Sequence, residues 1–348
     1  MYFPQKQYLV FIAVVLLVFL ATFFLGLKFD FGRDFFSSFV SKSENIKVDL
    51  YSCLNTANIE NRYECLDKRL PNLFKKYGVG AVMASYEDYV SKVGETFTSH
   101  GDTQKMGEVL FELTGRDIHK AFSLCTVTAH NGCQHALLGE MGHETGKPLF
   151  EMTATILELC NENESDGARE LCFHGLGHAL LVERQGEIKL ALADCDRFNM
   201  DASLMRACWS GVFMENNSNI MGGGGKYLKE DDPLFPCTMP ELGEKYISIC
   251  YIQVPIPFAK RFESFKICRT APKQWIESCA MGVGLRLAAQ RTGDQNWIIE
   301  KCRNGGDDLT VPCFRGALFY LGMEDNREVE ERYCAKLTEA EKVSLKRC

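Results

Sequence analysis

The chain has 348 residues and is 46% apolar, 24% charged and 11% aromatic, which excludes a disordered, collagen-like or low-complexity protein. It carries 39 basic and 46 acidic side chains, a net charge of −7. A nucleic-acid binder needs a basic surface to release counterions, so that class is excluded too. Two features depart from the average: there are 16 cysteines, and all seven histidines fall between His100 and His178.

Residues 1–7 read as a short cytoplasmic tail. Residues 8–27, YLVFIAVVLLVFLATFFLGL, hold no charge and at about 1.5 Å per residue span roughly 30 Å, the thickness of a bilayer core. A cleaved signal peptide has a shorter apolar region closed by small residues. The expectation is therefore an uncleaved transmembrane anchor. Lys6 before the run and Lys28 and Arg33 after it do not set the orientation. The cysteines do: sixteen thiols are a liability in a reducing cytosol and a framework outside it. The bulk of the chain is thus expected to be periplasmic or extracellular. Residues 28–50 form a juxtamembrane segment with Phe29, Phe31, Phe35, Phe36 and Phe39, either interfacial or a linker.

Residues 51–124 have helical periodicity in MASYEDYVSKV and KMGEVLFELTGRDIHKAFSLC and read as an N-terminal helical region that caps the remainder of the chain. From Cys125 to Cys348 the pattern becomes regular. Taken in order, the cysteines form the pairs Cys53/Cys65, Cys125/Cys133, Cys160/Cys172, Cys195/Cys208, Cys237/Cys250, Cys268/Cys279, Cys302/Cys313 and Cys334/Cys348. From Cys125 onward, the first members step by 35, 35, 42, 31, 34 and 32 residues. A period near 34 marks a helical repeat array.

The second cysteine of a pair opens similar segments: CFHGLGHALL from Cys172, CWSGVFMENN from Cys208, CAMGVGLRLA from Cys279 and CFRGALFYLG from Cys313. Each has glycine three places on, at Gly175, Gly211, Gly282 and Gly316, where neighbouring backbones can approach closely. The Cys250 segment departs, with Gln253 at that place and Pro255 and Pro257 breaking its helix. The first cysteine closes short amphipathic segments such as IKLALADC and NWIIEKC. Turn signals at Gly186, Gly293 and Asp325-Asn326 complete a unit of helix, turn, helix and loop. Each disulfide is expected to tie the end of one hairpin to the start of the next. A loop of that size is worth about 3 kcal/mol when closed. A zinc array would need C-x₂₋₄-C knuckles, and the chain has none.

In period, helix-pair layout and cysteine placement, residues 125–348 resemble tetratricopeptide-like and cysteine-rich helical repeat proteins, although the tetratricopeptide residue pattern itself is absent. The resemblance implies an all-α fold, an α-solenoid of helix hairpins linked by consecutive disulfides, and a binding surface. It implies no particular reaction.

The segment ENNSNIMGGGGKYLKEDDPLFPC interrupts one repeat with a glycine-rich loop at Gly222–Gly225. Asn216-Asn217-Ser218 and Asn163-Glu164-Ser165 match the N-glycosylation triplet, a short pattern that also arises by chance.

The histidines are the one chemical lead, with two readings: a metal or other functional site, or rings that donate to backbone carbonyls or neighbouring carboxylates inside a stacked helical core. His130, His135, His143, His174 and His178 fall in the first two clear units, and the later units have none. His174 and His178 share a helix face, as do Glu140 and His143 in an E-x-x-H arrangement. His135 and His174 both stand two places after a helix-opening cysteine, so adjacent repeats set them side by side. His143 lies about 12 Å along a continuous helix from His135. The most compact ligand set is therefore His174, His178, His143 and Glu140, with His135 as a ligand or a supporting group. Imidazole with carboxylate suits zinc, iron, copper or manganese. Haem is a lesser option, without a C-x-x-C-H attachment. Glu140 and Glu215 share the seventh place after their cysteines.

These residues support three readings of function. The leading one is a membrane-anchored extracytoplasmic scaffold that presents a surface to a protein or peptide partner and carries a candidate metal site. The second is a metal-dependent enzyme or metal carrier using His135, Glu140, His143, His174 and His178. The third is a purely structural envelope role.

Overall fold

A computed structural model describes residues 44–348 apart from 57, 94–96, 127, 164, 219–224, 254–263, 292, 323–326 and 347; side chains at 91–98, 128–130, 218 and 327 are also outside it. The anchor expected at 8–27 lies outside the described residues. Among the described residues no helix is long and apolar enough to cross a membrane. The chain divides into two compact units, Met1–Val48 and Asp49–Cys348. In the first, the described residues 44–48 are helical. The second carries every cysteine and every histidine.

The described residues of the second unit are mostly helical, with no strand among them. The amino-terminal part holds α1 (Ile59–Tyr77), α2 (Val79–Val93) and α3 (Phe97–Leu113). Short and long helices then alternate: α4 (Ile118–Phe122), α5 (Thr128–Thr145), α6 (Thr153–Asn161), α7 (Asp166–Glu183), α8 (Ile188–Arg197) and α9 (Ala202–Ser218). The chain continues with α10 (Glu244–Gln253), α11 (Ser264–Cys268), α12 (Ile276–Gln290), α13 (Gln295–Arg303), α14 (Thr310–Gly322), α15 (Arg327–Cys334) and α16 (Glu339–Leu345). In its described part, α10 ends at Gln253, just before the Pro255/Pro257 pair.

Local chemistry sets these boundaries. Ser165 caps α7 by accepting from the Ala168 N–H, and Asp294 caps α13 through Trp297. Thr338 and Glu341 form a reciprocal capping box on α16. Such caps satisfy backbone donors that a helix start leaves open, each contributing about 1 kcal/mol. Gly186, at φ 79°, turns the chain between α7 and α8.

All eight disulfides join sequential neighbours, as the spacing predicts: Cys53–Cys65, Cys125–Cys133, Cys160–Cys172, Cys195–Cys208, Cys237–Cys250, Cys268–Cys279, Cys302–Cys313 and Cys334–Cys348. No cysteine is left free. Five of these bridges run from a short helix, or the turn ending it, into the following long helix: Cys125 to α5, Cys160 to α7, Cys195 to α9, Cys268 to α12 and Cys302 to α14.

The long helices pack in chain order, α3 on α5, α5 on α7, α7 on α9, α9 on α10, α10 on α12 and α12 on α14. The recurring glycines explain how closely they do so. A Cβ placed on Gly211 of α9 would run into the His174 carbonyl of α7 and lie 3.1 Å from the Gly177 Cα. Only hydrogen fits where the two backbones touch. Between these helices Phe173, Phe213 and Phe314 are fully buried, each contributing about 1.5–3 kcal/mol.

A polar clasp joins α1, α2 and α3. Asp102 is fully buried and accepts from the Arg62 guanidinium in a two-pronged contact, with Arg62 Nε at 2.7 Å from Oδ1. Arg62 also donates to the Leu54 carbonyl. The Tyr86 hydroxyl lies 3.2 Å from Asp102 Oδ2 and donates to the Ser99 carbonyl at 2.9 Å.

Both glycosylation triplets are engaged by the fold. Asn163 Nδ2 donates to the Gln134 side chain and the Cys160 carbonyl. Asn216 is fully buried and pins the return of the glycine-rich segment by accepting from the Tyr227 N–H at 3.1 Å.

Candidate metal centre

Four successive long helices bring four imidazoles and one carboxylate together. His100 comes from α3, His135 from α5, His174 and His178 from α7, and Glu215 from α9. His135, His178 and Glu215 have no exposed surface, and His100 and His174 are 8% exposed. Ring centroids lie 4.9 Å apart for His100 and His135, 5.6 Å for His135 and His178, and 4.8 Å for His174 and His178. Gly175 makes room for this group: a Cβ there would collide with the His135 ring.

Hydrogen bonding orients the ring nitrogens. The Leu171 carbonyl can only accept, so His135 Nε2 donates to it at 2.8 Å. That leaves His135 Nδ1 as an acceptor, 3.3 Å from His100 Nε2. The Glu215 carboxylate accepts from His178 Nδ1 at 2.9 Å, and in the neutral ring this leaves a lone pair on His178 Nε2, 3.1 Å from His174 Nε2. A carboxylate behind an imidazole is the arrangement that orients metal-bound histidines and raises their basicity.

The two nitrogen–nitrogen gaps are close to what a metal needs. Two imidazoles on a tetrahedral zinc with bonds of about 2.0–2.1 Å have nitrogens roughly 3.3 Å apart. The group presents its nitrogens in twos. Among the described residues, the one set that brings three His, Cys, Asp or Glu ligand atoms within 4.8 Å of one another is His119, Glu158 and Glu162, all exposed on α4, α6 and the end of α6. Exposed acidic groups commonly lie together without an ion.

The residues singled out in the sequence divide. His135, His174 and His178 come together, as the stacking of equivalent repeat positions predicts. Glu140 and His143 stand on the next turns of α5 in a different neighbourhood, that of Glu108, Glu112 and Arg116. His143 is exposed and Glu140 half-buried. Burial first, then the Glu108 charge, pushes the Glu140 carboxyl above its usual range. α5 runs unbroken from Gly132 to Thr145, so no bend returns His143 toward His135. Sequence reasoning left out His100, which no cysteine pair flanks, and did not join Glu215 to His178. The His130 side chain lies outside the described residues.

Burial, reinforced by the His100, His178 and His174 imidazoles, pushes His135 well below its usual value. An unfolded histidine titrates near 6.5. The unfolded chain therefore binds this proton first, and the stability that neutral His135 supports is complete above about pH 6.5 and is lost as pH falls below it. In chelator-treated protein, one such proton steepens the acid side by about 1.4 kcal/mol per pH unit. Urea unfolding at pH 7.5 and 5.5 should show that slope shrink in His135→Gln, whose amide can still donate to Leu171. An unchanged slope would mean that His135 takes up its proton without unfolding.

No family model, curated protein or solved structure matches the chain.

Proposed function

We propose that the chain is a membrane-anchored, extracytoplasmic helical-repeat binding protein whose histidine group is a transition-metal site. The observation that carries the metal reading is the buried pairing of His174 Nε2 with His178 Nε2 at 3.1 Å, with Glu215 behind His178. In this reading His174 and His178 are ligands, Glu215 orients His178, and His100 with His135 forms a second nitrogen pair. A cation can take the place of the hydrogen between His174 and His178 on α7, while Glu215 of α9 holds the other side of His178.

The scaffold part rests on the eight disulfides, which persist in oxidising compartments, and on the apolar run at 8–27. The in-order packing of the long helices supports a solenoid, an architecture that commonly presents an extended surface to a protein or peptide partner. An enzymatic reading has less support, because the histidine group is closed off and leaves little room for a substrate.

Metal analysis of the purified full chain tests the site. The expected content is about one transition-metal ion per chain, with affinity falling about 10–100-fold in Glu215→Gln, the usual cost of losing an outer-shell partner. A chain that purifies without metal, and whose melting temperature is unmoved by zinc, copper, iron or manganese, rules the site out.

A further inference from the structure

His174 Nε2 faces two lone-pair donors at once: His178 Nε2 at 3.1 Å and the Met214 thioether sulfur at 3.3 Å. In the neutral ring with its hydrogen on Nδ1, facing Glu215, His178 Nε2 carries a lone pair. An imidazole nitrogen carries at most one hydrogen, and one hydrogen cannot point well at both neighbours. His174 Nε2 is thus the shared neighbour of a nitrogen and a sulfur, each within 3.3 Å of it, and a small cation beside it can draw on all three.

The repeat builds this trio. His178 is the sixth residue after Cys172, and Met214 is the sixth after Cys208. These are equivalent places in adjacent units: His178 stands one turn along α7 from His174, and the contact of α9 with α7 at Gly211 and Gly177 brings Met214 against it. His178 and Glu215 are sealed, whereas His174 is 8% exposed and Met214 half-buried. The sulfur side of the trio is thus the side nearer the surface.

We propose that His174, His178 and Met214 bind monovalent copper. This rests on the reading of the histidine group as a metal site and goes further by adding a sulfur ligand and naming the metal. Zinc is held by thiolate, imidazole or carboxylate, whereas a thioether beside imidazoles selects copper(I). All sixteen cysteine sulfurs are in disulfides, so no thiolate of the chain competes. Three uncharged ligands leave the bound ion a net positive charge, and the Glu215 carboxylate behind His178 balances it.

The test uses the full chain in detergent, stripped of metal and kept under ascorbate without thiol reductant. It is titrated with copper(I) against bicinchoninate and, separately, with zinc(II). The expected result is about one copper(I) held per chain, with affinity at least about tenfold weaker in Met214→Leu and zinc affinity changed by less than about twofold. Leucine nearly conserves the methionine volume, so the variant should fold. Copper K-edge absorption should show one sulfur among the scatterers of the wild type and none in the variant. Equal copper(I) affinity in both proteins, or scattering from nitrogen alone, overturns the copper assignment and leaves the metal site standing. Binding of neither metal overturns both.

Discussion

Asp102→Ala should cost about 3–5 kcal/mol, because it leaves the Arg62 guanidinium buried without its counter-charge. Asp102 has no exposed surface and Arg62 is 7% exposed, so water cannot take over the lost contacts. The variant also removes an oxygen that the Tyr86 hydroxyl faces. The expected result is a large fall in the urea midpoint with the disulfides intact, greatest for amides of α1 and α3 in hydrogen exchange. The joint replacement Arg62→Met with Asp102→Leu is the control. Exchanging a buried ion pair for packed apolar groups is often neutral or stabilising, so this double variant should recover most of the loss. If Asp102→Ala alone melts within about 1 kcal/mol of the wild type, the pair is more solvated than the structure has it.

The second large effect is the loss of one staple. Cys160 and Cys172 are both fully buried and join α6 to α7 across a separation of 12 residues. Replacing both by alanine should cost about 3 kcal/mol from the regained freedom of the unfolded chain. Small cavities at two sealed positions add to that cost. Because α7 carries His174 and His178, metal affinity should fall with stability, whereas removing Cys334–Cys348 should leave metal affinity alone. Equal effects of the two deletions on metal binding would show that the histidine group does not depend on its local staple. Complete reduction, which removes eight such constraints, is expected to abolish the helical signal in circular dichroism at 37 °C.

Much of this architecture can be read from residue spacing. Sulfur pairing was legible because each cysteine's nearest partner recurs at a similar distance, and helical geometry then brings the two ends within reach. The glycines were legible for a related reason: Gly175 and Gly211 recur three places after a cysteine, and the structure uses both where a side chain would collide. The site was legible only in part. Register placed His135 beside His174, since both follow a cysteine by two residues. The same register gives Met214 the place in its unit that His178 holds in the one before, and Met214 meets His174, a link hidden by the change of residue type from imidazole to thioether. His100 gave no such signal, because it precedes the regular units and reaches the group only through the packing of α3 on α5. The E-x-x-H pattern of Glu140 and His143 pointed elsewhere because helical spacing fixes which residues share a face, not which face meets the neighbouring helix.

The locality of the sulfur bridges bears on how the chain is made. Every crosslink joins residues 8 to 14 positions apart, so none has to wait for a distant partner to be synthesised. A chain emerging amino end first into an oxidising space can lock each crosslink before the next two thiols arrive. At each moment the nearest available thiol is then the native one. Correct oxidation can thus follow from the timing of emergence, with little call on an isomerase to undo wrong pairings.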